Sequence, residues 1–145
     1  MVKKLQTKRR TRRKRKAKVK WYSVSNGELK IPVQGKWEKR VAEWLTQSKI
    51  FWIRKAICFC KTRTYTPDFY LPEHDVFIEV KGWWRDRDKY KMFLALRENK
   101  VQIRILDKRH IEKLDKIELA DLPFFNDEFK FRDIDRSKFK DVWMR

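Results

Sequence analysis

Val76-Phe77-Ile78-Glu79-Val80-Lys81-Gly82 decides the reading of this chain. Its apolar and charged residues alternate, and in a strand residues i and i+2 share a face. Ile78 and Val80 therefore point one way, Glu79 and Lys81 the other. A few residues upstream runs Thr66-Pro67-Asp68-Phe69-Tyr70-Leu71-Pro72. If the strand carrying Asp68 lies beside the strand carrying Glu79, the two carboxylates converge. At about 4 Å they repel by roughly 4 kcal/mol at an effective dielectric near 20. A divalent cation removes that repulsion, and hard oxygens from two carboxylates plus waters suit Mg2+, with Mn2+ as a substitute. Lys81 would stand beside that cation, placed to orient a water. Phosphodiester hydrolysis needs this combination. The plain alternative is structural, since Pro-Asp pairs are common and a Glu-x-Lys pair on a strand is ordinarily a solvated ion pair.

Outward from this centre, the chain reads as an α/β layer with a central mixed sheet flanked by helices. Upstream, residues 21–33 alternate around Asn26-Gly27 as a hairpin, with Pro32 placing its second strand at an edge. Trp37, Val41, Ala42 and Leu45 recur at helical spacing between Gly35 and Gln47. Residues 51–60 read as a long strand, with 64–71 as its antiparallel partner and 75–81 as a third strand. A helix follows over 86–98, then a strand through Val101, Ile103 and Ile105, then a helix near 109–117. The remainder is aromatic without periodicity and reads as an extension laid on the body, with a short helix from Ser137. Glu38 falls in the first turn of the first helix. It is either a third carboxylate facing the sheet or a residue that merely suits the positive end of the helix dipole.

Charge says more about the partner than about the fold. The 145 residues carry 39 Lys plus Arg against 20 Asp plus Glu, a net +19. Charged residues make up 41% of the chain, against roughly 25% in an ordinary soluble domain. Twelve of the basic residues and no acid lie in residues 1–20. Lys8, Arg9, Arg10, Arg12, Arg13, Lys14, Arg15 and Lys16 form the densest part of this arm, which has almost nothing to bury. A polyanion is its natural partner; a receptor-read address and a solubilising tail are the other readings. The domain plan is thus an arm over 1–20, an α/β domain over 21–118 and an aromatic extension over 119–145.

Composition also excludes classes. No apolar run can cross a bilayer, and no apolar block follows the basic N-terminus as in a secretory signal. The expected setting is intracellular, with the nucleus an option in a eukaryotic source. Cys58 and Cys60, two apart on a strand, sit awkwardly for a disulfide, and with His74 and His110 make a poor zinc site.

Glu38, Pro67-Asp68 and Glu79-Val80-Lys81-Gly82 together resemble the PD-(D/E)XK nuclease superfamily. The wider context, Asp-Phe-Tyr-Leu-Pro after the first acid and Lys-Gly-Trp-Trp ahead of Asp86-Arg87-Asp88-Lys89-Tyr90-Lys91, is similar to phage endonuclease I-like enzymes that resolve Holliday junctions. The likeness covers about Gly35 to Leu106. It implies a restriction-endonuclease-like core and Mg2+-dependent cleavage of branched DNA, with a homodimer as an option. Asp68, Glu79 and the Val80 carbonyl would bind the metal, Glu38 would join them, and Lys81 would be the catalytic lysine. Arg63, Arg85, Arg87, Lys89 and Lys91 flank these positions and are candidate phosphate contacts. Trp83 and Trp84 either stack on an opened base step or pack in a core or dimer interface. The competing readings are a site-specific homing or restriction enzyme and a non-catalytic nucleic-acid-binding or packaging protein.

Overall fold

The structure is a computed structural model that describes residues 18–130 together with Arg132, Ile134 and Asp135. The hairpin pairs β1 (Trp21–Ser25) with β2 (Lys30–Gln34). Asn26 closes its turn, accepting the amides of Glu28 at 2.9 Å and Leu29 at 2.8 Å on its side-chain oxygen. The same side chain donates to the Trp52 carbonyl at 2.9 Å, so this buried amide is satisfied on both ends. Helix α1 (Gly35–Gln47) follows β2 without a linker. Gly35 makes that possible, because its φ of +83° is costly for any residue with a Cβ.

The expected long strands are broken up. Of residues 51–60 only β3 (Ile57–Phe59) is a strand, and Ile53 makes an isolated bridge to Tyr70. The segment 64–71 splits into β4 (Arg63–Tyr65), which pairs with β3, and β5 (Phe69–Leu71), which does not. Two local features explain the correction. Cys60 and Lys61 both take left-handed backbone angles, closing a tight β3–β4 turn. Pro67 has no N–H for a ladder, so the pairing stops there and the chain is redirected.

A three-stranded mixed sheet follows, in the order β5, β6 (Val76–Val80), β7 (Ile103–Leu106). β5 and β6 are antiparallel; β6 and β7 are parallel, joined through α2 (Asp86–Asn99). The alternation seen in the sequence sorts the two faces. Phe69, Leu71, Ile78 and Leu106 join α1, the hairpin and Trp52 in one buried cluster. Phe77, Ile103 and Ile105 join Ile57, Phe59, Tyr65 and the α2 residues Tyr90, Leu94 and Ala95 in the other.

After β7, the expected helix over 109–117 is only α3 (Lys108–Ile111), followed by a 3-10 turn at Leu114–Lys116. Asp107 and His110 form a reciprocal capping box that starts α3, and the non-helical backbone of Lys113 ends its continuation. Beyond it, α4 (Phe125–Glu128) places Phe125 fully inside the second cluster, 4.6 Å from the Phe93 ring and 5.7 Å from Trp84. Phe131, the helix expected from Ser137, and the arm residues Lys8 to Lys16 lie outside the described residues. Among the described residues no helix is long and apolar enough to cross a membrane, and Cys58 and Cys60 are not joined in a disulfide.

Candidate active site

Pairing of Phe69 with Ile78 fixes the register of β5 on β6. Carried one step further, it sets Asp68 opposite Glu79, as the two-motif reading requires. Asp68 accepts the Val80 amide on Oδ2 at 2.7 Å. Glu79 is buried at 6% exposure, and its Oε2 accepts the Tyr65 hydroxyl at 2.7 Å. Lys81, at the end of β6, is anchored by its own amide to the Leu106 carbonyl at 2.9 Å. Its Nζ lies 3.7 Å from Glu79 Oε1 and 3.2 Å from Asp88 Oδ2. The sheet alternation puts Glu79 on the α2 side, which is why the first turn of α2 can supply Asp88.

Glu38 serves the start of its own helix. Its Oε2 accepts the Gln34 amide at 2.9 Å, satisfying the backbone at the start of α1. Its charge also raises the carboxyls of Asp68 and Glu79. The three acids therefore share one neighbourhood, and its electrostatics are unfavourable. Burial first, then the charges of Glu79 and Glu38, hold Asp68 well above the usual carboxylate range, against the Val80 amide. Burial also raises Glu79, with Tyr65 and Lys81 pulling the other way. Burial and the Glu79 charge push the Tyr65 phenol well above its ordinary value.

No protein-family model, curated protein or solved structure matches this chain. What the site can do must come from its own side chains. Among the described residues, no group of three or more His, Cys, Asp or Glu is arranged to hold a metal ion. The acids instead lean on protein donors: Val80 N–H for Asp68, Tyr65 for Glu79, Gln34 N–H for Glu38. The donor chemistry still suits a hard cation. Buried carboxylates that raise one another's proton affinity gain most from a nearby positive charge, and Mg2+ is commonly held by one or two carboxylates with waters completing its shell.

The flanking cations divide into two kinds. Arg63, Arg85 and Arg87 are exposed. Lys89 and Lys91 are partly buried and lie over rings, Lys89 at 4.7 Å from Phe129 and Lys91 at 5.0 Å from Tyr65. The tryptophan pair splits as well. Trp84 packs against Phe125 and Phe129, whereas Trp83 is 71% exposed.

Sequence reasoning missed Tyr65 and Asp88. Asp88 was within reach, as an acid on the first turn of a helix that starts soon after Lys81. Tyr65 was not, because its approach to Glu79 depends on β4 leaving the line of β5 at Pro67.

Proposed function

We propose that this chain is a Mg2+-dependent endodeoxyribonuclease with a PD-(D/E)XK, restriction-endonuclease-like core, selective for branched or distorted DNA. One observation carries the reading: Asp68, just ahead of β5, accepts the Val80 amide at 2.7 Å beside Glu79 of β6, and Lys81 Nζ lies 3.7 Å from Glu79 Oε1. A structural ion pair has no need of a second, half-buried acid at that point, where its charge is costly. Asp68, Glu79 and the Val80 carbonyl would hold the cation, with Glu38 acting beside Asp68. When bound, the ion supplies concentrated positive charge against charge growing on a phosphoryl oxygen.

The protein groups do the rest. Tyr65 fixes one Glu79 oxygen and leaves the other facing Lys81. Asp88 holds the Lys81 ammonium at 3.2 Å, aiming it at the edge where Asp68 and Glu79 meet. There it donates to an attacking water or to a phosphoryl oxygen. Arg63, Arg85 and Arg87 engage flanking phosphates and, with the arm, read backbone rather than bases. Selectivity then follows from DNA shape, since a junction is already bent and partly unstacked and costs less to deform than linear duplex. Two copies would serve the two symmetry-related strands of such a junction.

The protein donors already satisfying each acid favour a second reading, an inert nuclease-like core that binds nucleic acid through its basic surface. Incubation with supercoiled plasmid, a four-way junction and linear duplex, in Mg2+ or in EDTA, separates the two. The expected result is Mg2+-dependent cutting of junctions of unrelated sequence, much slower cutting of linear duplex, and none by Glu79→Ala or Asp68→Asn. Binding without cutting supports the inert core. Cutting by Glu79→Ala at the wild-type rate refutes the site. Cutting at one sequence regardless of branching favours a homing or restriction enzyme.

A further inference from the structure

We infer that Trp83 is a stacking platform for an unpaired nucleobase beside the scissile phosphate, so that the substrate carries an unstacked nucleotide at the site. This deepens the nuclease reading and rests on it.

Trp83 is the most exposed large apolar side chain among the described residues, at 71%. Its neighbour Trp84 has found aromatic packing against Phe125 and Phe129, so a buried environment lies one residue away. The segment carrying Trp83 is fixed on both sides. Upstream, the Lys81 amide is tied to Leu106, and a Cβ on Gly82 would come 3.1 Å from the Trp37 ring, so backbone and ring are in close contact. Downstream, the Arg85 carbonyl accepts the amides of Asp88 at 3.0 Å and Lys89 at 3.2 Å, starting α2. Held at both ends, the chain presents Trp83 to solvent two residues from Lys81. The presentation is built in rather than left to a loose loop.

The surroundings select the ligand. The Arg85 guanidinium lies over the indole, 5.0 Å from the ring centre, leaving the opposite face for a flat partner. The exposed Arg85 over the ring suits an anionic partner rather than an apolar one. A nucleobase with its phosphates satisfies both demands, because every base has a π-face and stacking tolerates any sequence. The cation on the far face strengthens the aromatic platform. Within duplex DNA that face is already occupied by neighbouring bases. A paired, stacked base cannot use Trp83.

The test uses the full chain in EDTA, where no cleavage complicates binding. Labelled single-stranded oligonucleotide and duplex with the same number of phosphates are titrated by anisotropy, and 2-aminopurine in the single strand reports stacking. Trp83→Ala and Trp83→Leu should each weaken single-strand binding by about tenfold and relieve the 2-aminopurine quenching. Trp83→Phe should retain most of both, and duplex binding should change by less than about twofold in every variant. Equal losses on single strand and duplex, no loss at all, or Leu performing as well as Phe would overturn the inference. If wild-type protein binds both nucleic acids and only the Trp83 contrast fails, the nuclease reading survives; if wild type binds neither, both fall.

Discussion

Tyr65→Phe is the most informative single perturbation, because it removes one oxygen and little volume. Tyr65 is 5% exposed, and its hydroxyl donates to Glu79 Oε2 at 2.7 Å. Phenylalanine fits the same space, so the cavity penalty is small beside the lost hydrogen bond. A hydrogen bond to a charged group is worth about 1.5–3 kcal/mol, and Glu79 would be left short of a donor in a buried position. The expected loss at pH 8 is therefore about 2 kcal/mol, or about 8 °C in Tm for a folded body of this size. The loss must depend on pH. Burial raises the Glu79 carboxyl and the Tyr65 hydrogen bond opposes that rise, so removing the hydroxyl pushes the group further up. The wild-type advantage is full where Glu79 is ionised in both proteins, and disappears as pH falls and both become protonated. Urea titrations of the two proteins in EDTA from pH 8 down to pH 4 measure it. A difference under about 0.5 kcal/mol at pH 8, or one that stays constant across the range, refutes the claim that Tyr65 stabilises an ionised Glu79.

Three further outcomes are expected. Asp68→Asn should stabilise the metal-free protein at pH 8 by on the order of 1–3 kcal/mol while abolishing cleavage. Because the Asp68 carboxyl is raised in the folded state, its contribution to stability is present at low pH and lost as pH rises, so the advantage of asparagine should shrink on acidification. His110 is lowered chiefly by burial, and its Nδ1 accepts the Asp107 amide at 3.0 Å, so its contribution is present above the ordinary histidine value and lost as pH falls through the folded one. The unfolding free energy of wild type relative to His110→Gln should therefore drop by about 1 kcal/mol between pH 7 and 5, and a flat difference would show that the cap does not titrate. Deleting residues 1–20 should reduce the slope of log K against log salt by about 5 on any DNA if about six arm charges touch phosphates, and an unchanged slope would assign the arm another role.

How far the residues could be read depended on whether a feature was local. Helix α1 was legible to the residue, since Val41, Ala42 and Leu45 mark its buried face and Gly35 and Gln47 its ends. The hairpin was legible from Asn26-Gly27, and the sorting of Ile78 from Glu79 followed from strand periodicity alone. The segment 51–71 was misread because apolar alternation runs on through it, while Pro67 and the left-handed turn at Cys60 and Lys61 impose breaks that alternation does not record. The second half of the site was hidden for the same reason. Asp68 and Glu79 converge through one antiparallel register, which a sequence can suggest. Tyr65 and Asp88 reach them from a separate two-stranded ribbon and from the helix on that face, and those contacts depend on tertiary packing.

The isolated bridges at the margins of the three-stranded sheet bear on how copies of this chain can meet. On β5 the residue facing away from β6 is Tyr70, and both its backbone groups are taken by Ile53, at 2.8 and 2.9 Å. On the far side, Arg104 bridges Phe124, and Ile105 donates to the Pro123 carbonyl at 2.8 Å. An edge whose hydrogen bonds are spent offers no template for another strand. The central sheet is thereby guarded at these positions against growing into a neighbouring copy. A symmetric pair would then be assembled away from Tyr70 and Ile105, through helices or through the two-stranded ribbons.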